Sequence, residues 1–316
     1  MAYYEQAYNT ATPALDIMTN LQTWMPANGY TFVETYTSGT NISDVYKSPG
    51  TSNSFGTDFY IAFNRTSTTT TVVSPMVFEQ WDAVNKKAIK YAPQTGGTTM
   101  TPASDGSVND SGVLLSATTS GASLYKSTYL FAPVSTATTH YVNINVDRII
   151  WGSGTDYLYN GYAGLYDSFN NANPFPLVSA TWGYQGNGTI YGAYTAYGAV
   201  TREPWISAAT SNWGVHCFSY QSAYSVYPYF GTSPGVNPRT SLQASTAFFF
   251  GSTKYAASYT AGAQMGLFKD LIWNPQGALN LLGGDTLAIT VGATTYNYVK
   301  PAMFTTYKVY GWIPKQ

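Results

Sequence analysis

Charge is what this sequence has least of. Asp, Glu, Lys and Arg make up 9% of 316 residues, against about 25% in typical soluble domains. The formal net charge is −1. A free monomer with so few charges is poorly protected against association, so the composition points to a chain whose surface is covered by neighbours. The 14 Lys and Arg are scattered, with Lys86, Lys87 and Lys90 the densest group. That argues against nucleic acid as a partner through a basic patch. Cys217 is the only cysteine, which excludes an intrachain disulfide and a C-x-x-C site. No apolar run approaches the roughly 18–20 residues that span a bilayer, so no membrane partner is expected. The opening MAYYEQAYNT has neither a basic n-region nor an apolar h-region, and predicts no signal peptide. N-x-S/T triplets at Asn41, Asn64, Asn109 and Asn187 are what chance gives in a chain rich in Asn, Ser and Thr.

Catalytic side chains are equally sparse. The histidines are His140 and His216, each inside an expected strand. His216 adjoins Cys217, but neighbouring strand residues point to opposite faces and cannot act on each other as nucleophile and base. The glutamates are Glu5, Glu34, Glu79 and Glu203. Glycoside hydrolysis needs two carboxylates about 5–10 Å apart. Glu79 and Asp82 fall on opposite faces of an expected strand, and Glu203 sits in a turn-like TREPW. Asp105 and Asp110 lie in a polar loop, SDGSVNDSG, which reads as solvated rather than as a Ca²⁺ site. No H-x-x-x-H, G-x-S-x-G, Walker or G-x-G-x-x-G pattern occurs. No enzyme activity, cofactor or metal is expected.

What the chain does have is aromatic and β-branched residues. Aromatics are 16%, led by 29 tyrosines. One segment, TPALDIMTNLQTWMPANG, has helical spacing: Ala14, Ile17, Met18, Leu21, Trp24 and Met25 recur at i, i+3, i+4 and i+7. Thr12 is the expected N-cap and Pro13 the first helical residue, with Pro26 as the stop, so the helix is predicted over about 13–25. The remainder is punctuated like a β-protein, with short runs of Tyr, Phe, Val, Ile and Thr between Gly, Pro, Asn and Ser. Strands are predicted over residues 30–37, 58–65, 74–83, 128–132, 141–151, 156–166, 178–184, 190–199, 213–220, 246–251, 267–273, 287–291, 294–299 and 305–312. Strand–helix alternation is lacking, which disfavours a parallel sheet. The fold class is therefore mainly β: an antiparallel sandwich or jelly-roll-like body with an N-terminal amphipathic helix. Residues 1–316 read as one large domain, with long loops at about 93–123 and 221–243 and a sub-boundary near 125.

The most aromatic, least charged stretch is DYLYNGYAGLYDSFNNANPFPLV, residues 156–178. As a regular strand it places Tyr157, Tyr159, Gly161, Ala163 and Leu165 on one face, and Leu158, Asn160, Tyr162, Gly164 and Tyr166 on the other. Both faces are partly apolar and neither is charged, which suits a strand covered on both sides. Gly161 and Gly164 permit a bulge or close backbone approach. Tyr157, Tyr159, Tyr162, Leu165, Tyr166 and Phe175 are the candidate core or assembly residues. A sugar-binding strip is the competing reading, since exposed Tyr and Trp stack on sugar faces. The same residues also dominate protein–protein interfaces.

Three stretches resemble tailed-bacteriophage virion structural proteins of the tail, neck, collar or baseplate kind. The first is MAYYEQAYNTATPALDIMTNLQTWMPANGYTFVE, a helix, an Asn-Gly turn and an aromatic strand. The second is residues 139–183, where a strand with Arg148 is followed by Tyr162-Ala163-Gly164-Leu165-Tyr166 and by Pro174-Phe175-Pro176-Leu177. The third is residues 283–312, with a Gly-Asp, strand, Thr-Tyr, strand ending turned at Gly292-Ala293. The sequence departs from the family pattern in an Asn-rich insert at 168–173. The resemblance implies a non-enzymatic virion subunit, assembled in the host cytoplasm. Its implied partners are copies of itself, in a ring or trimer-based assembly, and other virion proteins. A receptor-binding module of a phage fibre or spike, with a glycan as partner, is the alternative. A β-fold hydrolase would need converging carboxylates, with Glu79, Asp82 or Glu203 among them.

Overall fold

The computed structural model describes residues 1–8, 13–67, 73–91, 113–114, 138–154, 160–168, 177–185, 189–195, 215–216, 219–221, 224–226, 245–251, 264–275, 283–302 and 309–316. The fold is mainly β, with antiparallel sheets and one N-terminal helix. The chain opens with β1 (Ala2–Tyr8) and α1 (Pro13–Ala27), then β2 (Thr31–Ser38), β3 (Asn41–Ser48), β4 (Phe59–Thr66), β5 (Ser74–Asp82), β6 (Lys87–Tyr91) and β7 (Val113–Leu114). Next come β8 (Thr138–Asn145), β9 (Arg148–Ser153), β10 (Asn160–Ser168), β11 (Leu177–Gln185), β12 (Thr189–Thr195), β13 (Val215–His216), β14 (Ser219–Gln221) and β15 (Tyr224–Val226). The last are β16 (Ser245–Gly251), β17 (Gln264–Pro275), β18 (Thr286–Val291), β19 (Thr294–Val299) and β20 (Val309–Pro314).

Strands β2 to β7 form a meander in sequence order, and the other described strands join a second, branched sheet. The first strand belongs to that second sheet: β1 pairs with β8, Ala2 opposite Ile144 and Tyr8 opposite Thr138. The meander is thus inserted between two strands that are neighbours in space.

Alternation along the meander explains how it is covered. Tyr46, Ile61, Phe63 and Val77 face the main core, while Val45, Ala62, Met76 and Phe78 face a smaller cluster with Ala88 and the rings of Tyr36, Tyr60 and Trp81. Opposite, Val142, Ile144, Ile149, Ile150, Trp151, Tyr162 and Leu165 of the second sheet complete the main core. The predicted helical stripe enters the same core: Ala14, Ile17, Met18, Leu21 and Met25 are buried, and Trp24 is half-buried. Polar helix residues tie the layers together. Asn20 donates to the Tyr8 hydroxyl at 2.8 Å, Asn28 to the Tyr4 hydroxyl at 2.8 Å, and Gln22 to the buried Asp44 carboxylate at 2.9 Å.

The structure corrects several boundaries. The helix runs past Pro26 to Ala27, because a proline in the last turn costs only a hydrogen bond; Asn28-Gly29 then turns, with Gly29 at φ +94. The strand expected over 141–151 is a hairpin, β8 and β9. The Asn145 side chain makes its turn by accepting the N–H of Asp147 at 2.9 Å and of Arg148 at 3.0 Å. The loop expected over 93–123 carries β7, and that over 221–243 carries β15; their remaining residues, the strand expected at 128–132 and the sub-boundary near 125 lie outside the described residues.

Candidate functional site

The densest polar cluster lies where strands change partners. Up to Gly164, β10 runs against β9, Gly164 opposite Arg148, and its other edge pairs with β11. From Tyr166 onward β10 pairs with β17 instead, Tyr166 opposite Phe268. Strand β17 in turn leaves β10 after Phe268 and pairs with β20 from Ile272. Lys269 and Asp270 occupy the gap, and Asp270 adopts φ +62, which a non-glycine residue accepts at some cost.

Gly164 is required by this geometry. It has φ +135, and a Cβ there would stand 2.6 Å from the Arg148 Cα and against the carbonyl oxygen of Asp147. That carbonyl accepts the N–H of Leu165 at 2.8 Å, so the bend locks β10 onto the β8–β9 turn. The glycine of the Tyr162–Tyr166 block thus has a physical reason for its place.

Arg148 is fully buried. Its Nη2 and Nε donate to Asp270 Oδ2 at 2.7 and 3.2 Å, and Nη2 also reaches Met1 Sδ at 3.0 Å. Nη1 donates to the Asn143 carbonyl at 3.0 Å and to the Asn143 side-chain oxygen. Asn143 passes the link on, donating to the carbonyls of Pro314 at 2.8 Å and Gln316 at 3.0 Å. One buried guanidinium therefore connects β8, β17 and the end of β20.

Beside it, Lys269 Nζ reaches Asp147 and Asp167, each at 3.1 Å, and the Ser54 hydroxyl at 2.6 Å. Burial pushes the Asp147 carboxyl up, but the Ser54 N–H and hydroxyl and the Lys269 ammonium outweigh it and leave it below its usual value. Burial likewise pulls the Lys269 ammonium down, while Asp147 and Asp167 hold it above its usual value. The Tyr162 hydroxyl donates to the Leu165 carbonyl and accepts the Lys269 N–H at 3.3 Å; burial drives its pKa well up. The cluster spends its donors and acceptors on the chain itself. What it does chemically is pin the branches of the second sheet to one another and to the 49–58 loop.

Of the sequence-expected residues, Tyr162, Leu165 and Tyr166 are buried at this junction, with Tyr162 tilted against Phe268 at 4.7 Å between ring centres. Both faces of β10 are covered within one chain. Tyr157, Tyr159, Phe175, Glu203, Cys217, Asp105 and Asp110 lie outside the described residues. Glu79 is half-buried on β5, and Asp82 accepts the N–H groups of Val84 and Asn85 in the following turn. His140 is buried against the Tyr8 ring at 5.1 Å. Among the described residues no group of three or more His, Cys, Asp or Glu is placed to hold a metal. The described tryptophan side chains, Trp24, Trp81, Trp151 and Trp312, are half-buried or buried. Sequence reading missed Asn143, Lys269 and Asp270. The signal for the last two was present, since a Lys-Asp pair inside the apolar run GLFKDLIW breaks any regular strand pattern.

The second feature is a hairpin with one face packed on Trp312 and Ile272 and the other exposed. Strands β18 and β19 pair from Thr286–Val299 to Val291–Thr294 and turn at Gly292-Ala293, with Gly292 at φ +62. Residues 286–299, TLAITVGATTYNYV, contain no charge. Thr286, Ala288, Thr290, Thr295, Tyr296 and Asn297 are exposed. No protein-family model matches this chain, and no curated protein sequence does.

Proposed function

We propose that the chain is a non-enzymatic structural subunit of a tailed-bacteriophage virion, a tail, neck, collar or baseplate component that assembles with itself and with other virion proteins. The observation that carries this reading is an antiparallel β body that is poor in charge yet leaves long strand edges open. Among the described residues β1, β2 and β18 each pair on one side alone. Their combined charges are Glu5 and Glu34. Open edges on a monomer are ordinarily guarded by charge, proline or a bulge. An edge as bare as that of β18 suits a chain that meets neighbours permanently, because burying it strands no charge.

Two of the three sequence blocks that carry the resemblance also have structural work to do. The Arg148 and Gly164 block forms the point where strands of the second sheet change partners, and the closing block includes the β18–β19 hairpin. An antibody raised against the full chain tests the reading. It should decorate purified tailed particles, made by the cells that encode the chain, at one repeating position. Particles that carry none of the chain would overturn it.

The glycan-binding alternative is less favoured by the described part, where the exposed aromatic rings are Phe32 and Tyr296, on different sheets. A glycan array with the full chain separates the two readings.

A further inference from the structure

We infer that the outer edge of β18 is a self-association site, pairing antiparallel with β18 of a second copy about a two-fold axis through Ala288. The inference rests on the self-assembly part of the proposed function and names the surface that carries it.

The backbone of β18 is set for it. In a hairpin closed by two residues, the pair flanking the turn exchanges both hydrogen bonds, and every second pair after it does so. Val291, Ile289 and Leu287 therefore bond to β19. The ladder continues in phase, since the Lys300 N–H donates to the Asp285 carbonyl at 2.9 Å. The N–H and C=O groups of Thr286, Ala288 and Thr290 consequently point away from β19. All three residues are exposed, and among the described residues no strand pairs with this side of β18.

The side chains select the partner. A two-fold axis at Ala288 places Ala288 opposite Ala288, and Thr286 opposite Thr290, on one face. On the other face it sets Leu287 opposite Ile289. Small residues meet small ones, apolar residues meet apolar ones, and the half-buried Ile289 gains cover. The two other long edges fail the same pairing. Each has a glutamate mid-strand, Glu5 in β1 and Glu34 in β2, and β2 is also bulged between Phe32 and Glu34. A closed two-fold contact uses up both edges, so it limits the open-ended sheet growth that a bare edge invites.

The test is sedimentation of the full chain across a micromolar concentration series. Wild type should associate. Ala288→Lys, at an exposed position, should leave the circular dichroism spectrum and melting temperature unchanged and weaken association by about tenfold or more, because each lysine meets its own copy. The double variant Thr286→Glu/Thr290→Lys should still associate, since each Glu then faces a Lys. Thr286→Lys/Thr290→Lys should not. If wild type associates and Ala288→Lys does so equally well, this interface is wrong and self-assembly stands. If wild type stays monomeric throughout, both fall.

Discussion

Arg148 is sealed inside the protein, while the carboxylate that balances it, Asp270, stands half in solvent: their side chains are 0% and 42% exposed, with Nη2 and Oδ2 2.7 Å apart. The buried partner cannot find water if the pair is broken. The outer one can.

The two halves of this pair should therefore respond unequally. Arg148→Met leaves a carboxylate that water reaches but takes the donor from the buried Asn143 oxygens, and should cost less, about 1–3 kcal/mol. Asp270→Asn keeps an acceptor and a residue type that tolerates positive φ, but it leaves the sealed guanidinium without a countercharge, so about 3–5 kcal/mol is expected. Urea unfolding of both variants reads the difference. Equal losses would mean that the guanidinium is not held as described.

Gly164 should be nearly irreplaceable. Gly164→Ala combines a forbidden backbone region with overlap on the Asp147 and Arg148 backbone, for a loss of about 3 kcal/mol or more. Gly39 has φ +58 and open space around it, so Gly39→Ala should cost only about 1–2 kcal/mol. Comparing their midpoints in urea removes any general effect of a glycine substitution.

Stability should fall on mild acidification before the carboxylates titrate. His140 is 2% exposed, and burial pushes its imidazole down from the usual 6.5 to about 3. The unfolded chain therefore takes up a proton below pH 6.5 that the folded chain refuses. Its contribution is fully present above pH 6.5 and is lost at about 1.4 kcal/mol per pH unit as pH falls towards 3. Asp147, Glu34 and Asp58, all held below their usual values, add losses at lower pH. His140→Gln should flatten the curve between pH 6.5 and 4.5, read by urea midpoints at half-unit steps. A curve as steep as wild type there would assign the acid sensitivity elsewhere.

Leu165→Lys should prevent folding of the single chain, not only assembly. Leu165 is 1% exposed in the core of one chain, and an unpaired ammonium there exceeds what a domain of marginal stability can carry. A folded, soluble Leu165→Lys monomer would contradict this burial.

What was legible in the sequence was local. The α1 stripe, the alternation of β4 and β5 and the two-sided cover of β10 follow from spacing, because each is written within about ten residues. The β8–β9 turn was not legible. It contains no glycine or proline, and the Asn145 side chain makes it where Val and Ile on both sides argue for one continuous strand. The pairing of β1 with β8 and of Arg148 with Asp270 joins residues more than a hundred positions apart, which no local pattern encodes. Arg148 was visible as part of a motif, but its role depended on partners that only the fold brings together.

The most direct test of a structural, self-assembling subunit is the mass of the full chain in solution as a function of concentration. Sedimentation equilibrium should give a particle of two or more copies of the 34.3 kDa chain that persists to low micromolar concentration. A single 34.3 kDa species at every concentration would contradict it.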